Sequence, residues 1–321
     1  MGAGSQQIRL LRLSVVVLTH NREALLRRTL ASVLAQGFEG LEIVVVDNAS
    51  DDDTEAMVRA EFPQVRFIRL TENSGIGGRN TGFRAARAPL VLSLDDDIEL
   101  ACPATLEKIA ARLEAQPDLG ALSLKICEDE DARDFASHHW WHAPPRESAQ
   151  DLEFPTEHIN EAAVAFRAEA LARSGYYYER LFWGGEEWDL VLGMIDAGFE
   201  VRYFPIPVRH LAQRGSLNER ADPRHALLIR NRCWIALRRL PLGVALGFAL
   251  PRLALWGVRS IRYGYLRHYL AGVAGLVRAI PALLRERAEV SPDTLARLAA
   301  IRRQSDGTLL PPPTGRMHAV L

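Results

Sequence analysis

Along the first hundred residues, apolar positions come in short unbroken runs separated by amphipathic stretches. Residues 13–18 (LSVVVL), 42–47 (EIVVVD), 65–70 and 90–94 (LVLSL) each have the length and the β-branched content of a buried strand. Between the first two, residues 22–36 bring Leu25, Leu26, Leu30, Val33 and Leu34 onto one helical face. Asn21 stands where it could cap that helix, and Gly37 where it could stop it. Residues 54–61 and the stretch from Gly78 to about residue 87 complete the pattern as helices. Strand–helix alternation of this kind predicts an α/β protein with a doubly wound, mixed and mostly parallel sheet.

The polar residues at the strand ends suggest chemistry. The 90–94 run stops at three adjacent carboxylates, Asp95, Asp96 and Asp97. Acids this close repel one another unless a cation lies among them. A hard divalent ion, Mg²⁺ or Mn²⁺, carrying a phosphate ligand would meet that need. Thr19, Asn21 and Arg22 follow the first run, Asp47 and Asn48 the second, and Asn73 and Arg79 the third. Open α/β sheets bind nucleotides at this edge; Asp47 could accept from a base N–H and Arg79 could meet a diphosphate. A cap or turn explains any one of these residues, but their joint placement favours a ligand. The dinucleotide fingerprint is absent, because Asn80 stands where a third glycine would follow Gly75 and Gly77, and no Walker loop occurs.

Further along, residues 103–115 read as a helix and 120–126 as a strand. The interval 128–159 is irregular and holds His138, His139, Trp140, Trp141 and His142. The histidine spacing fits no common zinc signature, and a mobile aromatic acceptor loop is the favoured reading. Residues 161–174 read as a strand and a helix, with Ala162 and Ala163 leaving room beside a ligand. Gly184 and Gly185 allow close backbone approach before Glu186 and Glu187, which open a helix with Leu190, Val191, Met194 and Ile195 on its apolar face. Helix capping would account for the acids but not for the flanking Trp183 and Trp188. After a strand at 198–204 comes His210, whose neutral imidazole could be a third ligand to a divalent ion.

The segments SVVVLTHNR (14–22), VVVDNAS (44–50), ENSG (72–75) with GRN (78–80), and DDD (95–97) together resemble the family-2 glycosyltransferases of the GT-A fold, over about residues 12–215. The resemblance implies a nucleotide-diphosphate sugar as donor, UDP- or dTDP-linked, bound by Thr19, Asn21, Arg22, Asp47, Asn48, Asn73, Arg79, Asp95 and Asp96. It implies Mg²⁺ or Mn²⁺ held by Asp97, Asp95 and His210. It makes Glu186 and Glu187 the catalytic acids, with the second member as base, and gives Trp183, Gly185, Glu186 and Trp188 to the acceptor. Glu187 stands where relatives often carry aspartate, and so does Tyr178. By the same resemblance the transfer of a hexosyl or deoxyhexosyl group proceeds with inversion, to a glycan or lipid-linked saccharide, in polysaccharide or surface-glycan assembly. A sugar-phosphate nucleotidylyltransferase would want a glycine-rich basic loop after the first strand, where Thr19 to Arg22 stand instead. A non-catalytic glycan-binding or membrane scaffold is the alternative of another class.

Charge divides the 321 residues. Residues 1–200 hold 19 basic against 34 acidic side chains, and residues 201–321 hold 20 against 6. The acidic part suits a metal; the basic part, almost wholly arginine, suits phosphate-rich or anionic-lipid surfaces. The expected organisation is a tail (1–12), a catalytic domain (13–220, with 13–100 for the donor and 101–220 for the acceptor and base), a basic amphipathic helical region (221–305) and a second tail (306–321). That helical region is expected to lie on an anionic membrane as a peripheral contact, with packing on the catalytic core or homodimer formation as alternatives and transmembrane insertion as the third. Cys102, Cys127 and Cys233 are widely spaced and odd in number, which favours a reducing compartment. Residues 1–14 lack an apolar leader core, so no secretion is expected; the family resemblance implies a cytoplasmic location at the inner face of a bacterial membrane. No nucleic-acid partner is expected.

Overall fold

The computed structural model describes residues 10–128, 136, 140–211 and 224–304. The valine-rich runs form the parallel strands β1 (Leu13–Thr19), β2 (Leu41–Asp47), β3 (Arg66–Arg69) and β4 (Leu90–Asp95), in the spatial order β3-β2-β1-β4. They are apolar on both sides because both sheet faces are covered. Val15, Val17 and Leu92 face α1 (Glu23–Leu34), α2 (Thr54–Glu61) and α4 (Thr105–Glu114), while Val16, Val44 and Val91 face α3 (Gly77–Ala85), α6 (Ala168–Ser174) and α7 (Glu186–Asp196). Asn21 does not cap α1. Arg22 takes the cap position, and Asn21, in the left-handed region at φ 55°, accepts instead from the Asp51 amide at 2.7 Å.

The sheet continues with a change of direction. β8 (Ala163–Arg167) runs antiparallel between β4 and β6 (Leu119–Cys127), and β9 (Glu200–His210) returns parallel to β6. The short strands β5 (Ile98–Glu99) and β7 (Phe154–Pro155) pair antiparallel with β9. The sheet is therefore mixed and mostly parallel. One edge collects the C-terminal ends of β1, β2, β4, β6 and β9 together with the N-terminal end of β8. β9 runs further than the sequence pattern predicts. Its register on β6 jumps from Leu124↔Phe204 to Lys125↔Pro207, so Pro205 and Ile206 form a bulge, a place where a proline such as Pro205 is tolerated.

Four helices follow: α8 (Arg224–Arg239), α9 (Leu242–Tyr263), α10 (Leu266–Arg285) and α11 (Pro292–Gln304). α8 is locked onto α7 by Asp189, which is fully buried and accepts from Arg238 at 2.7 and 2.9 Å and from Arg239 at 2.9 and 2.9 Å. α11 also docks on α7, with Arg297 donating to the Ile195 carbonyl at 2.9 Å. Packing on the catalytic core thus accounts for α8 and α11, whereas α9 and α10 turn apolar side chains outward. Asp189→Ala leaves the buried Arg239 and the partly buried Arg238 without their counter-ion and should cost about 3–5 kcal/mol. A thermal melt reads this directly; an unchanged Tm would show that the clamp contributes nothing.

Candidate active site

The three aspartates take three different roles. Asp96 is buried, accepting from Thr19 Oγ1 at 2.8 Å and from Arg22 at 3.1 Å, while its carbonyl accepts from Thr29 Oγ1 at 2.8 Å. Burial, only partly countered by Arg22, pushes its carboxyl up to about 6. Asp97 is 2 % exposed and accepts from Arg22 at 2.7 Å, with His210 Nε2 at 3.4 Å. Burial would raise Asp97, but the bond and charge of His210, with those of Arg22, outweigh it and hold the carboxyl below its usual range. His210 moves the opposite way: burial lowers it, and Asp97 more than restores the proton affinity. Asp97 Oδ1 is buried with no hydrogen-bond partner among the described residues. His210 arrives here through the β5–β9 ladder, in which it pairs with Ile98.

Asp95 is partly exposed and ion-paired to Arg79. The Arg79 side chain is only 5 % exposed and also donates to Ser93 Oγ at 2.8 Å and to the Leu94 carbonyl at 3.1 Å. Arg79 is therefore buried against Asp95 and the end of β4. Asn48 is likewise turned inward. Its Nδ2 donates to Asn73 Oδ1 at 2.9 Å and its Oδ1 accepts from the Ser74 amide at 2.9 Å, shaping the 73–75 loop. Gly75 (φ 57°) closes that loop against the other half of the site. A Cβ there would fall 2.2 Å from the Phe182 carbonyl, which accepts from the Ile76 amide at 2.8 Å. Asp47, at the end of β2, is fully buried with Oδ1 on the Ser50 amide at 3.0 Å. Its Oδ2 has no hydrogen-bond partner among the described residues, although Arg69 lies 3.4 Å away.

Glu186 and Glu187, both buried, begin α7, and Glu161 joins them. The three carboxylates have oxygens within 4.8 Å of one another. Burial, then the charge of Glu187, pushes Glu186 up to about 8. Burial also raises Glu187, against the opposing charge of Arg232, and raises Glu161 well above the usual range with repulsion from both partners. Glu161 Oε2, Glu186 Oε2 and the Tyr177 hydroxyl are buried without a hydrogen-bond partner among the described residues. Three carboxyls in so small a space keep at least one proton near neutral pH, which gives this corner the means to hold and accept protons.

Sequence reasoning missed Glu161, Arg232 and Tyr177. Glu161 precedes β8, and only the antiparallel direction of that strand carries it to the same edge as the aspartates. The Asp95 amide donating to the Ala162 carbonyl at 2.9 Å fixes the join. Trp188 is a correction: it is buried, with its ring tilted against Phe248 at 5.3 Å, so it offers an acceptor no open face. Trp183 is partly exposed beneath the Arg224 guanidinium at 5.0 Å, and Gly185 (φ 92°) is the residue before the first turn of α7. The aromatic acceptor loop is also corrected where it is described. Trp140 is buried and donates to the Pro144 carbonyl at 2.8 Å, while His142 sits among Trp140, Phe154 and Tyr203 with Nδ1 2.8 Å from Thr156 Oγ1. Burial holds His142 well below its ordinary value, that of a neutral core residue. His138 and His139 lie outside the described residues.

A sheet edge with these groups on it defines an enzyme of the glycosyltransferase class with the GT-A fold, and the comparisons agree. Residues 14–174 match the family model described as glycosyl transferase family 2. The chain belongs to that family. The succinoglycan biosynthesis protein ExoO of Rhizobium meliloti is 40% identical over 102 residues, 31% of this chain and 29% of that protein. The GalNAc(5)-diNAcBac-PP-undecaprenol beta-1,3-glucosyltransferase of Campylobacter jejuni is 37% identical over 95 residues, 28% of this chain and 30% of that protein. The match thus spans about three-tenths of the length of these relatives. Among solved structures, S. aureus TarS 1-349 in complex with UDP-GlcNAc superposes with a TM-score of 0.57 at 19% identity, over 91% of this chain and 84% of that one. The mannosyltransferase PcManGT of Pyrobaculum calidifontis, in complex with GDP-Man and Mn²⁺, gives 0.53 at 22% identity, over 91% and 80%.

Proposed function

We propose that the protein transfers a sugar from a UDP- or dTDP-sugar to a hydroxyl of a glycan or lipid-linked saccharide, with inversion, in bacterial surface-glycan assembly. One observation carries the reading. A single sheet edge bears both a buried, unpartnered Asp97 oxygen beside His210 and, beyond Asp95, a buried cluster of carboxyls able to take a proton. Asp97, Asp95 and His210 offer oxygen, oxygen and nitrogen donors of the kind Mg²⁺ or Mn²⁺ takes, and they would hold such an ion with Asp97 Oδ1, buried without a hydrogen-bond partner among the described residues, as one ligand atom. Such an ion, when bound, supplies Lewis-acid neutralisation of the diphosphate.

The chain's own residues do the remaining work. Asp47 Oδ2, ion-paired to Arg69 but without a hydrogen bond among the described residues, accepts from a base N–H at the end of β2. Arg22 adds positive charge beside Asp96 and Asp97. Glu187 takes the proton of the acceptor hydroxyl as that oxygen bonds to the anomeric carbon, while the carbon–oxygen bond to the diphosphate breaks and its electron pair leaves with the nucleotide. Glu186 and Glu161 hold the residual proton and keep Glu187 basic. The relative named for an undecaprenol-linked saccharide supports a lipid-linked acceptor, and with it action at the inner face of a membrane, while the relative named for succinoglycan biosynthesis supports glycan assembly.

A thermal-shift screen of UDP-, dTDP- and GDP-sugars with and without Mn²⁺ tests the donor assignment. One donor at a hundred times its Kd should add about 2.7 kcal/mol of stability, and only with the ion present. No response to any donor would sink the proposal.

A further inference from the structure

The outward faces of α9 and α10 are not accounted for by the transfer chemistry. Leu246, Leu250, Val258 and Ile261 on α9 are 40–69% exposed, and Leu270, Val277 and Leu284 on α10 are 56–61% exposed. The opposite face of α9 (Ala245, Ala249, Trp256, Ser260) is buried, as are His268, Gly272, Leu276 and Leu283 of α10. Gly272 presses α10 onto α8, where a Cβ would fall 2.7 Å from the Ala226 carbonyl. Residues 241–285 contain six arginines (252, 259, 262, 267, 278 and 285) and no acidic residue or lysine. Several sit one position after an outward apolar residue: Arg259 after Val258, Arg262 after Ile261, Arg278 after Val277, Arg285 after Leu284. At 100° per residue, this lays a cationic stripe beside the apolar one.

We infer that the α9–α10 hairpin seats in the headgroup layer of an anionic bilayer, and that α8 carries that contact to the acceptor side of the active site. Charge complementarity selects the occupant: with Arg252 folded onto Phe248, the other five arginines, without a single acid in this stretch, suit anionic headgroups, and a second copy of the same cationic face would be repelled. α9 is long and apolar enough to cross a membrane by length and composition. Its packed inner face, with Arg252 near its middle and Arg259 and Arg262 beyond, places it in the plane of the interface instead. The link to the site is Asn231 of α8. Fully buried, its Nδ2 donates to the carbonyls of Leu181, Trp183 and Gly184 at 3.0, 2.9 and 2.8 Å, the loop that presents Glu186 and Glu187. One helix layer, about 10 Å, then separates the bilayer from the base-bearing loop, within reach of a saccharide on a lipid carrier. This rests on the lipid-linked acceptor proposed above.

Flotation of the full chain with phosphatidylglycerol or phosphatidylcholine vesicles tests the inference. The wild type should float with the anionic vesicles and be released by salt. Val258→Glu/Ile261→Glu and Leu270→Glu/Val277→Glu should stay in solution with unchanged Tm. Arg262→Gln/Arg267→Gln/Arg278→Gln should lose roughly a hundredfold in partitioning, since each arginine near the surface contributes about fivefold. Donor-stimulated thermal shift should be unaffected in every variant, so failure of the transferase reading registers separately. Equal binding to both vesicle types, flotation of the glutamate variants, or a wild-type dimer that these variants convert to a monomer without vesicle binding would each overturn it.

Discussion

Asp97→Ala is expected to lower kcat/KM by about a thousandfold or more, the scale of losing ~4 kcal/mol of transition-state stabilisation. The substitution removes the one carboxylate that has a buried unpartnered oxygen and also touches both Arg22 and His210. It should abolish the Mn²⁺ dependence of donor-induced thermal stabilisation. Asp96→Asn provides the contrast: an amide oxygen can still accept from Thr19 Oγ1, so the ion dependence should survive. Nucleotide release at donor concentrations well below KM measures the first effect. Undiminished turnover in Asp97→Ala would remove this residue from the site.

The second large effect belongs to Glu187→Gln, which should cost roughly 10²–10⁴ in kcat, with little change in donor-induced stabilisation. Glu186→Gln should cost less, because Arg232 favours the ionised form of Glu187 while Glu186 is pushed up to about 8. The base works deprotonated, and burial with mutual repulsion raises the cluster, so kcat should fall as the pH drops from about 8, with apparent values that belong to the cluster as a whole. Glu161→Gln alters the protons the cluster shares and should shift that limb. The same raised affinity means that the folded chain binds more protons than the unfolded one between 4.5 and about 8. Stability from this source is present at low pH and lost as the pH rises through that window. A pH profile that stays in place in Glu161→Gln would separate Glu161 from the base.

Much of the donor half was legible because its signals are local. The runs ending at Thr19, Asp47 and Asp95 have both faces covered, so unbroken apolar stretches mark them, and the residues after each run fall at the C-terminal edge by strand direction alone. Arg79 and Asn48 show the limit: the sequence puts them at that edge, but the fold turns them inward, onto Asp95 and onto the 73–75 loop. Glu161 was illegible for another reason. Reading strands in order assigns an acid before a strand to the wrong end of the sheet, and only the reversal at β8 corrects this. Trp140 and Trp188 were mistaken for sugar-stacking faces, because an aromatic cluster looks the same in sequence whether it closes a core or lines a cleft. The helices after residue 223 were readable as amphipathic, yet their division into packed (α8, α11) and outward (α9, α10) depends on the Asp189 clamp on α8 and the seating of α11 on α7.

The bulge in β9 makes the position of His210 a matter of parity. Because side chains alternate along a strand, the two extra residues, Pro205 and Ile206, leave everything downstream on its original face. Lineages that lost both could keep an imidazole beside Asp97, whereas loss of either one alone would turn residue 210 to the opposite side of the sheet. Length variation in this strand is therefore expected in steps of two.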